Sequence, residues 1–215
     1  MSDEEIKQGE ELDGGAVSST QNEENAEITD EKKDEKKPIT KADILKEIWS
    51  WVETVVMAVI FAFIITTFII VNAKVPSASM ENTVMTGDRL IANRLSYVFG
   101  KPERYDIVVF KFPDDESKLY IKRIIGMPGE TVNIRNGEVY IGDSTEPLRS
   151  DFLHEPMRTP DATYEVPEGC YFMMGDNRNR SSDSRLWNNK YVEEDKILGK
   201  AVFRYYPFTE IGPIE

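Results

Sequence analysis

The stretch that decides the fold reads DIVVFKFPDDESKLYIKRIIG and covers residues 106–126. Its two ends, Asp106–Phe112 and Lys118–Gly126, are rich in valine, isoleucine, tyrosine and phenylalanine, which favour β-strands. The intervening Pro113-Asp114-Asp115-Glu116 is typical of a turn. The stretch therefore predicts two strands joined by a turn, and it points to a mainly β fold.

The sequence downstream continues this pattern. Thr131–Ile134 and Glu138–Ile141 flank Asn136-Gly137, a strong hairpin signal. Cys170–Met174 and Ile197–Tyr206 predict two further strands. Residues 74–215 are therefore predicted to form one β-rich domain.

Two other segments of this domain have a different composition. Helical periodicity after residue 74 is limited to a short turn predicted near Val192–Lys196. Glu146–Thr163 is polar and rich in proline, and it predicts an exposed excursion that carries His154.

Upstream, Thr54–Ala73 contains twenty residues without a charge. As a helix they would span about 30 Å, the thickness of a hydrocarbon core. A buried core helix of this length normally shows a polar stripe, and a cleaved signal peptide has a shorter apolar run nearer the N-terminus. We therefore predict a helix over residues 40–73 that crosses a membrane, with Thr40 and Asp43 forming a capping box at its start.

Flanking charges predict the orientation of this span. Four lysines lie within 18 residues before it: Lys36, Lys37, Lys41 and Lys46. Only two basic residues, Lys74 and Arg89, lie within the same distance after it. Because positive charge is retained on the cytoplasmic side, we expect a cytoplasmic N-terminus and an extracytoplasmic domain.

The head of the chain, residues 1–39, is acidic and poor in large apolar side chains, so it predicts a disordered tail. The chain carries a net charge of −13, of which residues 1–50 contribute −8. Such a balance excludes the clustered lysine and arginine that nucleic-acid binding needs. Cys170 is the only cysteine and His154 the only histidine, so neither an internal disulfide nor a multi-cysteine metal site is possible.

Three polar elements are candidates for chemistry. The first, Pro76-Ser77-Ala78-Ser79-Met80, follows the apolar span. The second contains Lys122, which strand alternation places on one face with Tyr120 and Ile124. If Lys122 is covered, desolvation lowers its pKa and the neutral amine can act as a general base. The alternative is that its amine reaches out to water.

The third element, Gly175–Arg185, reads GDNRNRSSDSR and leaves the core after an apolar strand. Its composition is that of a solvated polar loop, and Arg178 and Arg180 occupy positions where a calcium loop needs oxygen ligands. A serine needs a base to become a nucleophile. With a single histidine in the chain, lysine is the most economical candidate for that base.

In this order and after a membrane span, the three elements resemble the signature boxes of type I signal peptidases (leader peptidases), in their short single-span form. The resemblance runs from about Trp49 to Pro207 and includes Gly87-Asp88-Arg89. It implies a coiled antiparallel β-sheet catalytic domain that removes N-terminal signal peptides from exported precursors, cutting after small residues. The implied partners are these precursors and the lipid bilayer, and no metal or cofactor is implied.

The resemblance also implies a role for individual residues. Ser79 corresponds to the nucleophile and Lys122 to the general base. Ser77 is similar to the residue whose hydroxyl joins the Ser79 backbone N–H in the oxyanion hole. Ser181 corresponds to the serine that orients the lysine. Asp183 and Arg185 correspond to a supporting ion pair.

One position departs from the pattern: Asn82 stands where many members carry proline. Two alternatives share some of these features. A self-cleaving serine–lysine protease of the repressor type uses the same chemistry but normally lacks a membrane span and carries a DNA-binding module. A membrane protein that binds signal sequences without cutting them would need neither Ser79 nor Lys122.

Overall fold

A computed structural model describes residues 40–214, so the predicted disordered tail, residues 1–39, lies outside the described residues. Within the described part, the chain forms one helix, α1 (Lys41–Ile64), which a π-helical turn, Ile65–Ile69, extends. The strands that follow are β1 Ile70–Lys74, β2 Arg89–Asn93, β3 Ile107–Phe112, β4 Asp115–Gly126, β5 Thr131–Arg135, β6 Glu138–Ile141, β7 Ala162–Glu165, β8 Cys170–Met174, β9 Tyr191–Glu193, β10 Ile197–Tyr206 and β11 Gly212–Pro213.

The strands form two antiparallel sheets. The larger has the order β1-β2-β10-β3-β4-β8-β9, with β11 beside β10. The smaller has the order β6-β5-β7. The predicted fold class, a mainly antiparallel β domain that follows one apolar helix, is confirmed.

The start of α1 contains the predicted capping box. The Thr40 N–H donates to Asp43 Oδ2 at 3.1 Å, and the Asp43 N–H donates to Thr40 Oγ1 at 3.3 Å. These reciprocal bonds satisfy two backbone donors that a helix start otherwise leaves without partners.

The end of the helix differs from the prediction, which continued to Ala73. Helical structure ends at Ile69, and the next five residues form β1. Val71 and Ala73 are buried because β1 pairs with β2 and directs alternate side chains into the core. An uncharged composition suits both a helix in lipid and a strand over a core, so composition alone did not mark this boundary. Helix 41–69 is still long and apolar enough to cross a membrane, and its apolar side chains are exposed.

Most predicted strands are confirmed, and three of them, β6, β8 and β10, have the predicted bounds. Asn136 and Gly137 adopt φ of 50° and 79° in the β5–β6 hairpin, which is the left-handed conformation of a type I′ turn. The turn between β3 and β4 is tighter than predicted. Because Phe112 pairs with Asp115, only Pro113 and Asp114 lie between the two strands, and residues 116–118 of β4 form a bulge before Leu119 pairs with Lys111.

Sequence patterns missed the short strands β1, β2, β7 and β9. The predicted excursion 146–163 is only partly exposed, because Met157 is buried and β7 begins at Ala162 and pairs with β5. The helical turn predicted near residues 192–196 reduces to a 3₁₀ turn, Glu194–Lys196, that follows β9. These segments have too few residues to show a clear alternation, and sheet pairing rather than local propensity fixes them.

One part of the core fixes the segment after β1. Met80 and Val84 are 1% and 0% exposed and pack with Leu90 of β2 and Val109 of β3. The Val84 N–H donates to the Met80 carbonyl at 2.8 Å. Ser79, which directly precedes Met80, is therefore held against the large sheet although it lies between two strands.

Candidate active site

Ser79 lies in a short 3₁₀ turn, Ala78–Met80, between β1 and β2. Its side chain is buried at 7% exposure, and the buried Met80 fixes the turn from one side. From the other side, the Asn177 N–H donates to the Ser79 carbonyl at 3.1 Å. The serine is therefore held by both the sheet and the Gly175–Arg185 loop.

Lys122 lies in the middle of β4, where it pairs with Val108 of β3. It is 3% exposed. Its Nζ lies 2.7 Å from Ser79 Oγ and 3.0 Å from the Ile121 carbonyl oxygen. The Tyr120 ring lies 5.4 Å from Nζ, on the face that strand alternation predicted. The structure thus brings together the serine and the lysine that the sequence paired, although 43 positions separate them.

Burial determines the protonation of this lysine. Desolvation lowers the pKa of Lys122 to about 8, and the more distant charges of Asp183 and Asp176 partly oppose that shift. Within residues 40–214 no carboxylate forms an ion pair with Nζ. A substantial fraction of the amine is therefore neutral in mildly alkaline solution and able to accept a proton.

Ser77 borders the same site from the exposed side. Its backbone is extended, with φ of −140° and ψ of 160°, and its Oγ lies 3.4 Å from Ser79 Oγ. A cleft of about 280 Å³ opens here, and both polar and apolar side chains line it. Its lining includes Val75, Ser77, Ser79, Tyr120, Ile121 and Lys122.

The predicted ion pair of Asp183 and Arg185 is present and buried. Arg185 Nε lies 2.7 Å from Asp183 Oδ1, and Arg185 Nη2 lies 2.8 Å from Asp183 Oδ2. Asp183 Oδ2 also accepts the Gly175 N–H at 3.0 Å. This bidentate pair ties the two ends of the polar loop to each other.

Ser181 is buried close to this pair, but the expected contact with the lysine is not formed. Among residues 40–214, Ser181 Oγ has no hydrogen-bond partner. A Cβ built on Gly175 would lie 2.3 Å from both Ser181 Oγ and the Ser79 carbonyl oxygen. Only glycine at position 175 therefore lets Ser181 and the Ala78–Met80 turn approach each other this closely.

Sequence reasoning missed a second buried ion pair, between Arg123 and Asp176. Arg123 Nε lies 2.9 Å from Asp176 Oδ1 and Nη2 lies 2.7 Å from Oδ2. Arg123 Nη1 also donates to the Tyr105 carbonyl at 2.9 Å. A signal was available, because strand alternation places Arg123 on the face opposite Lys122, where a covered arginine needs a carboxylate.

Asn82, the departure from the signal-peptidase pattern, adopts a left-handed backbone with φ of 93°. Asparagine tolerates this region better than most residues, whereas the proline ring fixes φ near −65°. Asn82 Nδ2 donates to the Phe152 carbonyl at 3.2 Å. The asparagine therefore supports a local backbone that proline is unable to adopt.

His154, the only histidine, is exposed and lines a separate cleft that contains neither Ser79 nor Lys122. It is therefore not placed to serve as the base for Ser79.

Comparison with known proteins gives a consistent result. Residues 48–206 match the family model described as signal peptidase, peptidase S26. Two relatives from Synechocystis, the probable signal peptidases I-1 and I-2, are 36% and 39% identical, over 74% and 76% of this chain and 82% and 77% of their own length. Signal peptidase IB of Staphylococcus aureus is 32% identical over 77% of this chain and 93% of its own length.

Proposed function

The chain belongs to the signal peptidase family, peptidase S26, and on that basis we propose that it is a membrane-bound endopeptidase that removes N-terminal signal peptides from exported precursors. The observation that carries the mechanism is the 2.7 Å approach of Lys122 Nζ to Ser79 Oγ in a buried site. In this proposal Ser79 is the nucleophile and Lys122 the general base.

Acylation begins when Ser79 Oγ attacks the scissile carbonyl carbon and its proton passes to the neutral Lys122 amine. The carbonyl oxygen becomes an oxyanion, which the Ser77 hydroxyl and the Ser79 backbone N–H stabilise by hydrogen bonds. Collapse of the intermediate breaks the C–N bond, and Lys122 gives the proton to the leaving amine. The signal peptide is then esterified to Ser79.

Deacylation uses the same groups in the same order. Lys122, neutral again, takes a proton from a water molecule that attacks the ester carbonyl. The oxyanion forms in the same place, and Lys122 returns the proton to Ser79 Oγ as the C–O bond breaks. We assign Ser181, Asp183 and Arg185 to positioning: the ion pair holds the loop, and Ser181 supplies a buried hydroxyl that has no other partner among residues 40–214 and could orient the amine.

The membrane topology belongs to the same proposal. Helix 41–69 crosses the bilayer, the N-terminus is cytoplasmic, and residues 74–215 lie outside. Few residues separate Ile69 from Ser79, so the nucleophile stays close to the surface at which a membrane-held signal sequence presents its cleavage site. The narrow cleft favours small side chains next to the cut.

The test is cleavage of a precursor peptide by the full chain in detergent micelles. Ser79→Ala removes one oxygen, so cleavage should be abolished while the protein stays folded. His154→Ala is the matched control and should keep normal turnover. A Ser79→Ala enzyme with near-normal turnover would refute the serine mechanism, and a wild-type chain that binds the precursor without cutting it would favour the non-cutting alternative.

A further inference from the structure

Three arginines are buried in the described part of the chain, and they are not equivalent. Arg123 and Arg185 each form a bidentate ion pair with an aspartate. Arg178 is 6% exposed and makes one hydrogen bond, from Nε to the Gly175 carbonyl at 3.1 Å. Within residues 40–214 no carboxylate forms an ion pair with its guanidinium.

A buried guanidinium without a carboxylate is costly, because it has lost hydration without gaining an opposite charge. Burial and, after it, the nearby charge of Arg185 lower the pKa of Arg178 to about 10, and the charges of Asp176 and Asp183, which do not contact the guanidinium, partly oppose this shift. The group therefore remains charged at neutral pH. An anion from outside the chain would supply the missing partner.

Arg178 borders a cleft of about 380 Å³ that shares no lining residue with the catalytic cleft. Arg149 and His154 border it as well. The guanidinium carbons of Arg178 and Arg149 each lie 5.9 Å from the centre of the Phe152 ring. Arg178 and Arg149 therefore both lie near one aromatic ring, which the guanidinium of Arg123 approaches more closely, at 4.3 Å.

The acidic groups at this cleft already have partners. Glu138 accepts the Tyr140 hydroxyl at 2.8 Å, and Glu155 accepts Arg158 Nη2 at 3.1 Å. Asp151 lies 3.0 Å from Arg149 Nε, in an exposed pair that water screens. None of these contacts neutralises Arg178.

We propose that this cleft binds a phosphate-type anion, held by the guanidinium fork of Arg178 and supported by Arg149. Planar guanidinium donors match the oxygen spacing of a phosphate group, and such charged hydrogen bonds are stronger than neutral ones. The cleft has room for a phosphate with a substituent, so the same chemistry suits free phosphate or the headgroup of a lipid.

The first experiment measures thermal unfolding of the full chain in detergent against inorganic phosphate, with chloride at equal ionic strength as the reference. The wild type should show a saturable rise in Tm with phosphate. Arg178→Met should raise the apparent Kd for phosphate about tenfold or more, the loss expected for one charged hydrogen-bonding group. A wild-type chain that phosphate stabilises no more than chloride does would overturn the proposal.

Two further variants keep the test decisive. Arg149→Ser alters an exposed side chain and should weaken phosphate binding even if Arg178→Met fails to fold. Lys101→Ser removes one positive charge from an exposed side chain that is not part of the lining of this cleft. It should bind phosphate as the wild type does. If it weakens binding as much as Arg178→Met, the effect is general attraction between charges and the site does not exist.

Reconstitution distinguishes the two sources of phosphate. In phosphatidylcholine vesicles, added phosphate should raise Tm for either source. A lipid source predicts that phosphatidylglycerol vesicles raise Tm without added phosphate and that Arg178→Met abolishes this rise. A free-phosphate source predicts the same phosphate dependence in both lipids. Equal behaviour of wild type and Arg178→Met in every condition would reject both sources.

Discussion

Lys122 and Arg123 are neighbours on β4, and the structure buries both cations, at 3% and 2% exposure. On one face of the strand, Lys122 meets a hydroxyl and a carbonyl but no carboxylate in ion-pair contact. On the other face, Arg123 meets both oxygens of Asp176. The first environment disfavours the charge and lowers the pKa of the lysine, whereas the second retains the charge.

This difference assigns a chemical role to Lys122 in the proposed mechanism and a structural role to Arg123. A base must be able to lose its proton, so a carboxylate beside Lys122 would stabilise the charged form and remove its reactivity. The ion pair of Arg123 with Asp176 instead fixes the loop, whose next residue, Asn177, donates its backbone N–H to the Ser79 carbonyl. One strand thus provides a reactive group and an anchor on opposite faces.

The largest expected effect follows from making the Lys122 face resemble the Arg123 face. Lys122→Arg keeps the charge but cannot act as a base, so kcat/KM should fall by about 10³–10⁴-fold, nearly as far as in Lys122→Met. Initial rates on a precursor peptide measure this. An active Lys122→Arg enzyme that still needs Ser79 would show that another group is the base.

Breaking the anchor should act first on stability. Asp176→Asn leaves the buried Arg123 guanidinium without its counter-charge, and Arg123→Met leaves the buried Asp176 carboxylate without one. Either variant should lower the free energy of unfolding by about 3–5 kcal/mol. Unfolding followed through the buried Trp187 measures this, and activity should fall as well because the loop no longer holds Ser79. Lys122→Met is the matched control on the other face. If Lys122→Met lowers the free energy of unfolding at pH 7 as much as Asp176→Asn or Arg123→Met does, Lys122 also stabilises the fold and the proposed difference between the two faces is wrong.

The oxyanion contact should have a smaller effect. Ser77→Ala is expected to lower kcat by about 10²–10³-fold with little change in KM, because the lost hydrogen bond forms only as charge develops on the substrate oxygen. Full kinetic curves separate the two constants. A change confined to KM would assign Ser77 to substrate binding instead.

The pH dependence tests the lowered pKa directly. Only neutral Lys122 is active, so kcat/KM should fall about tenfold for each pH unit below an apparent pKa of about 8. The linked effect on stability has a defined sign. Because the folded pKa lies below the unfolded value, the cost of burying the charge is complete below pH 8 and disappears as pH rises to about 10.5. Lys122→Met should therefore raise Tm relative to wild type at pH 7, and this advantage should shrink across that window.

The smallest expected effect on activity comes from removing the acidic residues at the start of the chain. Deleting residues 2–37 removes much of the acidic head, but burial and not distant charge sets the state of Lys122. Specific activity in detergent should therefore change by less than about tenfold, or 1.4 kcal/mol, and the apparent pKa should stay near 8. A shifted pH–activity profile would mean that the charges of residues 2–37 change the pKa of Lys122.

Alternation along β4 was sufficient to place Lys122 and Arg123 on opposite faces, but it left open whether Lys122 is covered, and its neutral state depends on that. It was not sufficient to predict Asp176 as the partner of Arg123, because that contact depends on how a loop 53 positions away folds back. The same limit explains why β1 was taken for helix: the twenty uncharged residues do not reveal that Val71 and Ala73 face a sheet core. Ser181 was placed near the site by its motif, but its hydrogen bond depends on geometry that a motif does not specify.

Under the proposed topology, the direct passage from Ile69 into β1 should make activity depend on the thickness of the membrane. A flexible tether would let the catalytic domain rise or sink without consequence, but here a paired strand of five residues, about 16 Å long, follows the helix at once. Under the proposed topology, Ser79 therefore stands at a fixed height above the end of the helix. Where a bilayer is thicker or thinner than the helix requires, the helix tilt that relieves the mismatch would also move Ser79 relative to the cleavage site of a membrane-held precursor. Lipid composition would then affect which precursors are cut efficiently.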